Sequence, residues 1–161
     1  MRTGKGVEWA MHTLLNLAWS GGGEPVATAQ LAAGHDLSVS YLNKLLQQLV
    51  KAGLLESVPG ARGGFRLARP LVAVSVLDVV LAIEGDAPLF RCTEIRQCGT
   101  IGERCPDSSF SEPCAVKIAM GRAEAAWRQA LAEQSLADVQ AAADAHAPTV
   151  AAQVRQTLGR D

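Results

Sequence analysis

Four cysteines fall within a 23-residue stretch, Cys92, Cys98, Cys105 and Cys114, with five, six and eight residues between successive thiols. Thiolates are soft, anionic ligands that suit the iron of iron–sulfur clusters. The spacing contains no C-x-x-C pair, so it matches neither a zinc ribbon nor a thioredoxin-like redox motif. Metal ligation, redox thiol chemistry and plain packing thiols are all compatible with it. Near the N-terminus, Glu8 and His12 stand four residues apart, which puts both on one face of a helix. A carboxylate and an imidazole so placed can ligate a metal, and a hydrogen-bonded surface pair is the plainer alternative. His35 and His146 stand alone and read as structural or exposed. The chain offers no activated nucleophile beside a base, no phosphate loop and no paired catalytic carboxylates, which argues against an enzyme.

These groups need a scaffold, and hydrophobic periodicity outlines one. Val7, Met11, Leu14, Leu15, Ala18 and Trp19 recur at three and four, predicting a helix over 5–20 that carries Glu8 and His12. Gly21-Gly22-Gly23 ends it. A short helix over 27–34 stops at Gly34, and His35-Asp36-Leu37 links it tightly to a third helix, capped by Ser38 and ending at Gly53. Leu42, Leu45, Leu46 and Leu49 mark the buried face of that third helix; Tyr41, Asn43, Lys44, Gln47 and Gln48 fall elsewhere on the wheel. Two short helices joined by a small turn read as a helix-turn-helix.

The segment after it, with Leu54, Leu55 and Val58 before a Pro-Gly and Gly-Gly turn and Phe65 and Leu67 after, reads as a hairpin wing. Ser75 with Asp78 fits a capping box for a helix over 75–84. Residues 85–112 lose all periodicity and form a loop that holds or borders all four cysteines; a structureless loop of that length implies a function. A long Ala-rich helix over 114–133 follows, and Ser135 with Asp138 caps a last helix, beyond which the final dozen residues are expected to fray. The expectation is a mainly α fold: a winged helix-turn-helix over 1–84, a cysteine-bearing loop over 85–112, and a dimerisation helix with a C-terminal helix over 113–161.

Charge and composition fit this outline. Residues 1–70 hold seven Lys/Arg against four Asp/Glu, and residues 71–161 hold eight against twelve. A mildly basic front half suits DNA phosphates. The chain has no long uncharged apolar run, and Glu8, His12 and Asn16 interrupt what would be a signal peptide, so a cytoplasmic protein with reduced thiols is expected. At the exposed start of the third helix, Ser38, Ser40 and Tyr41 can bind phosphates, Asn43 can read adenine in the major groove, and Lys44 adds positive charge. Arg62 at the wing tip can enter a narrow minor groove, beside Gly63 and Gly64, which shape the turn.

The run SYLNKLLQQLVKAGLLESVPGARGGFRLARP, followed by VSVLDVVLAIEG and the cysteine-bearing loop, resembles the Rrf2 family of bacterial winged-helix regulators, the group of IscR and NsrR. The resemblance covers residues 1 to about 142. GVEWAMH, CTEIRQCG and AMGRAEAAWRQAL are most similar to the RsrR-like redox-sensing members, which hold a two-iron two-sulfur (2Fe-2S) cluster. It implies a homodimer on an inverted-repeat operator in double-stranded DNA, a long dimerisation helix, and a cluster that senses iron supply, nitric oxide or redox state. Glu8 and His12 match ligands given by the partner subunit. Cys114 matches the cysteine that opens the long helix, with Cys105 as the second thiolate across a gap, PDSSFSEP, longer than the family pattern. A competing set takes Cys92, Cys98 and Cys114 (or Cys105) with Glu8, which suits a four-iron (4Fe-4S) cluster. The dimer contact is expected on Met120, Ala123, Trp127 and Leu131. Rival functions are a cluster-free thiol or zinc regulator and a protein-binding iron–sulfur assembly module.

Overall fold

The computed structural model describes residues 4–21 and 23–158, which form two compact units. The larger takes in the chain up to residue 86 together with residues from 131 on; the smaller spans 87–130.

The larger unit is built around helix α1 (Lys5–Trp19). Its three-and-four spacing of apolar residues buries Val7, Ala10, Leu14, Leu15, Leu17 and Trp19. A fully buried leucine is worth about 1.5–3 kcal/mol over an exposed one, so this face alone holds the helix in place. Next come α2 (Thr28–Ala33) and α3 (Val39–Lys51), joined by a turn in which Asp36 takes a positive φ of 51°. Leu42, Leu45, Leu46 and Leu49 are the buried face of α3, as the spacing predicts. The wing is an antiparallel pair, β1 (Leu55–Val58) and β2 (Gly64–Leu67), with Leu55 opposite Leu67 and Glu56 opposite Arg66. Val26, just before α2, bridges to Phe65 through two N–H···O bonds of 2.9 Å and extends the wing by a third short segment.

After a 3-10 turn at Leu71–Ala73, the predicted capping box starts α4 (Val76–Glu84): the Asp78 N–H donates to Ser75 Oγ (3.1 Å) and the Ser75 N–H to Asp78 Oδ2 (2.9 Å). α1 packs on α3 and α4, forming the three-helix frame of a helix-turn-helix domain.

Within the smaller unit the expected structureless loop is instead folded into short helical turns. A 3-10 turn at Ile95–Gln97, helix α5 (Gly99–Glu103) and a 3-10 turn at Asp107–Phe110 are closed by local bonds such as Cys98 N–H to the Ile95 carbonyl (3.1 Å) and Ser109 N–H to the Pro106 carbonyl (2.8 Å). These pieces are too short to show a hydrophobic period. Gly102 lets α5 close on the first turn, since a Cβ there would meet the Gln97 carbonyl at 2.3 Å. The long helix follows as α6 (Ala115–Ala132).

The C-terminal end corrects a second expectation. Beyond α7 (Leu136–His146), capped by Ser135 and Asp138 as predicted, the chain forms α8 (Pro148–Leu158) rather than fraying. α8 packs on α1 and α7 and buries Ala151 and Leu158. Residues 159–161 lie outside the described part. Among the described residues, no helix is long and apolar enough to cross a membrane.

Candidate functional site

The helix-turn-helix presents a polar face where the sequence places one. Ser38 caps α3, its Oγ accepting the Tyr41 N–H (3.4 Å) and lying 2.9 Å from Ser40 Oγ. Ser40, Tyr41, Asn43, Lys44, Gln47 and Gln48 are exposed, opposite the buried leucines. Ser38 is therefore occupied as a cap, and Asn43 and Lys44 are the groups with free reach. Arg62 stands exposed at the wing tip, on a turn that begins with Gly60 at φ 104°. Gly63 has a packing reason of its own: a Cβ there would meet the Val58 carbonyl oxygen at 2.2 Å.

On α1, Glu8 and His12 are both exposed, with Trp9 half-buried between them in sequence. His35, a lone histidine in the sequence, joins this face. Its Nε2 lies 2.7 Å from Asn16 Nδ2, and its ring centroid is 5.6 Å from Trp9 and 5.9 Å from His12. Burial, then repulsion from His12, holds the His35 imidazole below its ordinary pKa. The α2–α3 turn is thereby tied to the candidate ligand face of α1, a link between residues too far apart in sequence for spacing to reveal.

In the smaller unit, Cys114 is buried at the start of α6. Backbone N–H groups of Lys117 and Val116 and, less strongly, the Arg96 guanidinium hold the thiol below its ordinary pKa against the opposing effects of burial and Glu94. Cys92 and Cys114 line one cavity of about 480 Å³ together with Arg96. Cys98 is exposed at the N-terminal end of α5, and Cys105 is half-buried just after it; neither lines that cavity. The donor chemistry at Cys114 fits a metal, because the thiolate is the ligating form. Among the described residues, no three His, Cys, Asp or Glu side chains of one chain converge on a metal position.

On α6, Met120 and Ala123 are exposed and Trp127 is half-buried. Leu131 packs against the core of the larger unit.

Comparison with known proteins agrees with these features. The family model described as Rrf2, iron-dependent transcriptional regulator, matches residues 3–142. Protein rrf2 of Nitratidesulfovibrio vulgaris is 34% identical over 131 residues, 81% of either chain. The HTH-type transcriptional regulator IscR of Vibrio cholerae is 34% identical over 103 residues, 64% of this chain and 58% of that one. Among solved structures, CymR of B. subtilis, titled the global cysteine regulator, superposes with a TM-score of 0.67 at 23% identity, covering 88% of this chain and 97% of that one. The helix-turn-helix with its wing, the exposed polar face of α3 and these matches together make the chain a DNA-binding transcription regulator and a member of the Rrf2 family.

Proposed function

We propose that the chain works as a homodimer that binds an inverted-repeat operator and senses redox state through a 2Fe-2S cluster held between subunits. The observation that carries this reading is Cys114, a buried thiol at the head of α6 that lines one cavity with Cys92 and Arg96. Glu8 and His12 of one subunit and Cys105 and Cys114 of the other are the proposed ligands. When bound, the cluster supplies a one-electron redox centre. The chain's own residues do the rest. Asn43 and Lys44 meet base edges and phosphates, Ser40 and Tyr41 add phosphate contacts, and Arg62 reaches into the minor groove. His35 passes strain at the α1 ligand face to the turn that precedes α3.

A second ligand set replaces Cys105 with Cys92, and the cavity shared by Cys92 and Cys114 favours it. Alanine variants of Glu8, His12, Cys92, Cys98, Cys105 and Cys114, reconstituted anaerobically and read by visible absorption, decide between them. Loss of colour in Cys105→Ala with retention in Cys92→Ala supports the first set, and the reverse supports the second. A wild-type protein that stays colourless yet shifts operator DNA in a gel sinks the cluster and leaves a thiol or zinc regulator. Colour without any operator shift leaves the iron–sulfur assembly module.

A further inference from the structure

Arg96 is a residue to which neither the fold nor the sequence motifs give a task. Its Nε donates to the Glu94 carboxylate, its Nη2 donates to the Glu112 carbonyl at 3.0 Å, and its guanidinium carbon sits 5.6 Å from the centre of the Phe110 ring. Glu94 lies two residues after Cys92 and takes a left-handed backbone of φ 53°; Glu112 lies two residues before Cys114. One side chain therefore ties the segment leaving Cys92 to the segment entering Cys114. Cys92, Arg96 and Cys114 line the same cavity. Each side of the tie uses a different nitrogen of one guanidinium, and that guanidinium also lies over the Phe110 ring, a combination that a lysine cannot reproduce.

We propose that Arg96 is a positioning residue of the thiolate site: it clamps the Cys92 and Cys114 segments together and supplies the positive charge that both sulfurs face. A metal centre on Cys114 gains negative charge on reduction, so a nearby cation favours the reduced form and a nearby carboxylate opposes it. Arg96 and Glu94 thus push the reduction potential in opposite directions. This charge role rests on the cluster proposed above; the clamp does not.

Two arms of one experiment separate these. In the metal-free full chain, crosslinking of Cys92 to Cys114 by dibromobimane, mapped by peptide mass, is expected to fall severalfold in Arg96→Gln and to survive in Glu94→Gln, whose amide oxygen still accepts from Arg96 Nε while the bond to Glu112 is kept. In the reconstituted dimer, Arg96→Gln is expected to shift the oxidised-to-reduced ratio about tenfold toward oxidised, a lowering of about 59 mV for one electron. Arg96→Lys, which keeps the charge, holds most of the potential, and Glu94→Gln raises it. An unchanged crosslink yield in Arg96→Gln overturns the clamp. Shifts of the same sign in Arg96→Gln and Glu94→Gln, or none in Arg96→Gln, overturn the charge role. A wild type that takes up no cluster defeats the proposed function, while the crosslinking arm still decides the clamp.

Discussion

Replacing Gly64 with alanine tests whether the wing is anchored to the segment before α2. Gly64 has a φ of +155°, and a Cβ built on it meets the Val26 carbonyl oxygen at 2.2 Å, its carbon at 2.4 Å and the Ala27 nitrogen at 2.8 Å. All three are backbone atoms, so no side chain can swing away. Relief requires Val26 to withdraw from Phe65, which loosens the two 2.9 Å N–H···O bonds between them. Each such bond is worth about 0.5–1.5 kcal/mol net, and the positive φ costs an alanine about 1–2 kcal/mol more, so Gly64→Ala is expected to lose about 2–5 kcal/mol. The internal control is Gly53, at φ +69°, where an added Cβ would have nothing within 4 Å. Gly53→Ala suffers the backbone term alone, about 1–2 kcal/mol. Urea unfolding measures both through the midpoint at constant slope. A Gly64→Ala variant no less stable than Gly53→Ala would refute the argument, because the close approach to Val26 would then carry no energy.

Other expectations concern the surface. Arg62→Ala is expected to weaken operator binding by about 1–3 kcal/mol if the guanidinium reads a groove, and an unchanged affinity with an unchanged salt slope removes Arg62 from the interface. Trp127→Glu, placing a charge on the apolar side of α6, is expected to give monomers in sedimentation; a dimer of normal mass contradicts the proposed interface. Asp138 accepts from the Ser135 hydroxyl and N–H, and these bonds hold its carboxyl below the ordinary range. A folded-state pKa below the unfolded one gives stability that is present above the unfolded value of about 3.9 and is lost as pH falls through the folded value. Asp138→Asn should therefore flatten the acid limb of the stability profile, and an acid limb as steep as in the wild type rules this out.

What the sequence makes legible is what short-range spacing encodes. The leucines of α3, the Ser-x-x-Asp boxes at Ser75 and Ser135 and the Gly-rich turn of the wing each announce themselves within one or two helical turns. α8 does not, because its stripe of Ala151, Val154 and Leu158 is set among Thr, Gln and Ala, a weak signal that becomes a helix through packing on α1 and α7. The turns of 95–110 are shorter than the window in which periodicity is measurable. His35 and Arg96 escape for another reason. Their partners, Asn16 and His12 in one case and Glu112 and Phe110 in the other, lie beyond any local spacing rule and meet only in the folded chain.

The residues proposed as ligands divide between the two compact units, Glu8 and His12 in the larger and all four cysteines in the smaller. No residue of α6 is buried within the chain, although Val116, Ile118 and Met120 are 58%, 43% and 43% exposed. Only Glu124, Trp127, Arg128 and Leu131 of its 18 residues are even half-buried, so the exposed apolar residues of α6 are open to cover by a second surface. On the proposed reading that surface is a second copy of the chain, whose α1 brings the Glu8 and His12 that the cysteines need. Covering α6 and completing the ligand set are then a single event. The Trp127→Glu monomer should accordingly lose its visible absorption as well as its partner, although residue 127 touches none of the proposed ligands in sequence. A monomeric Trp127→Glu protein that keeps full cluster content would place all the ligands within one chain and break the link between assembly and sensing.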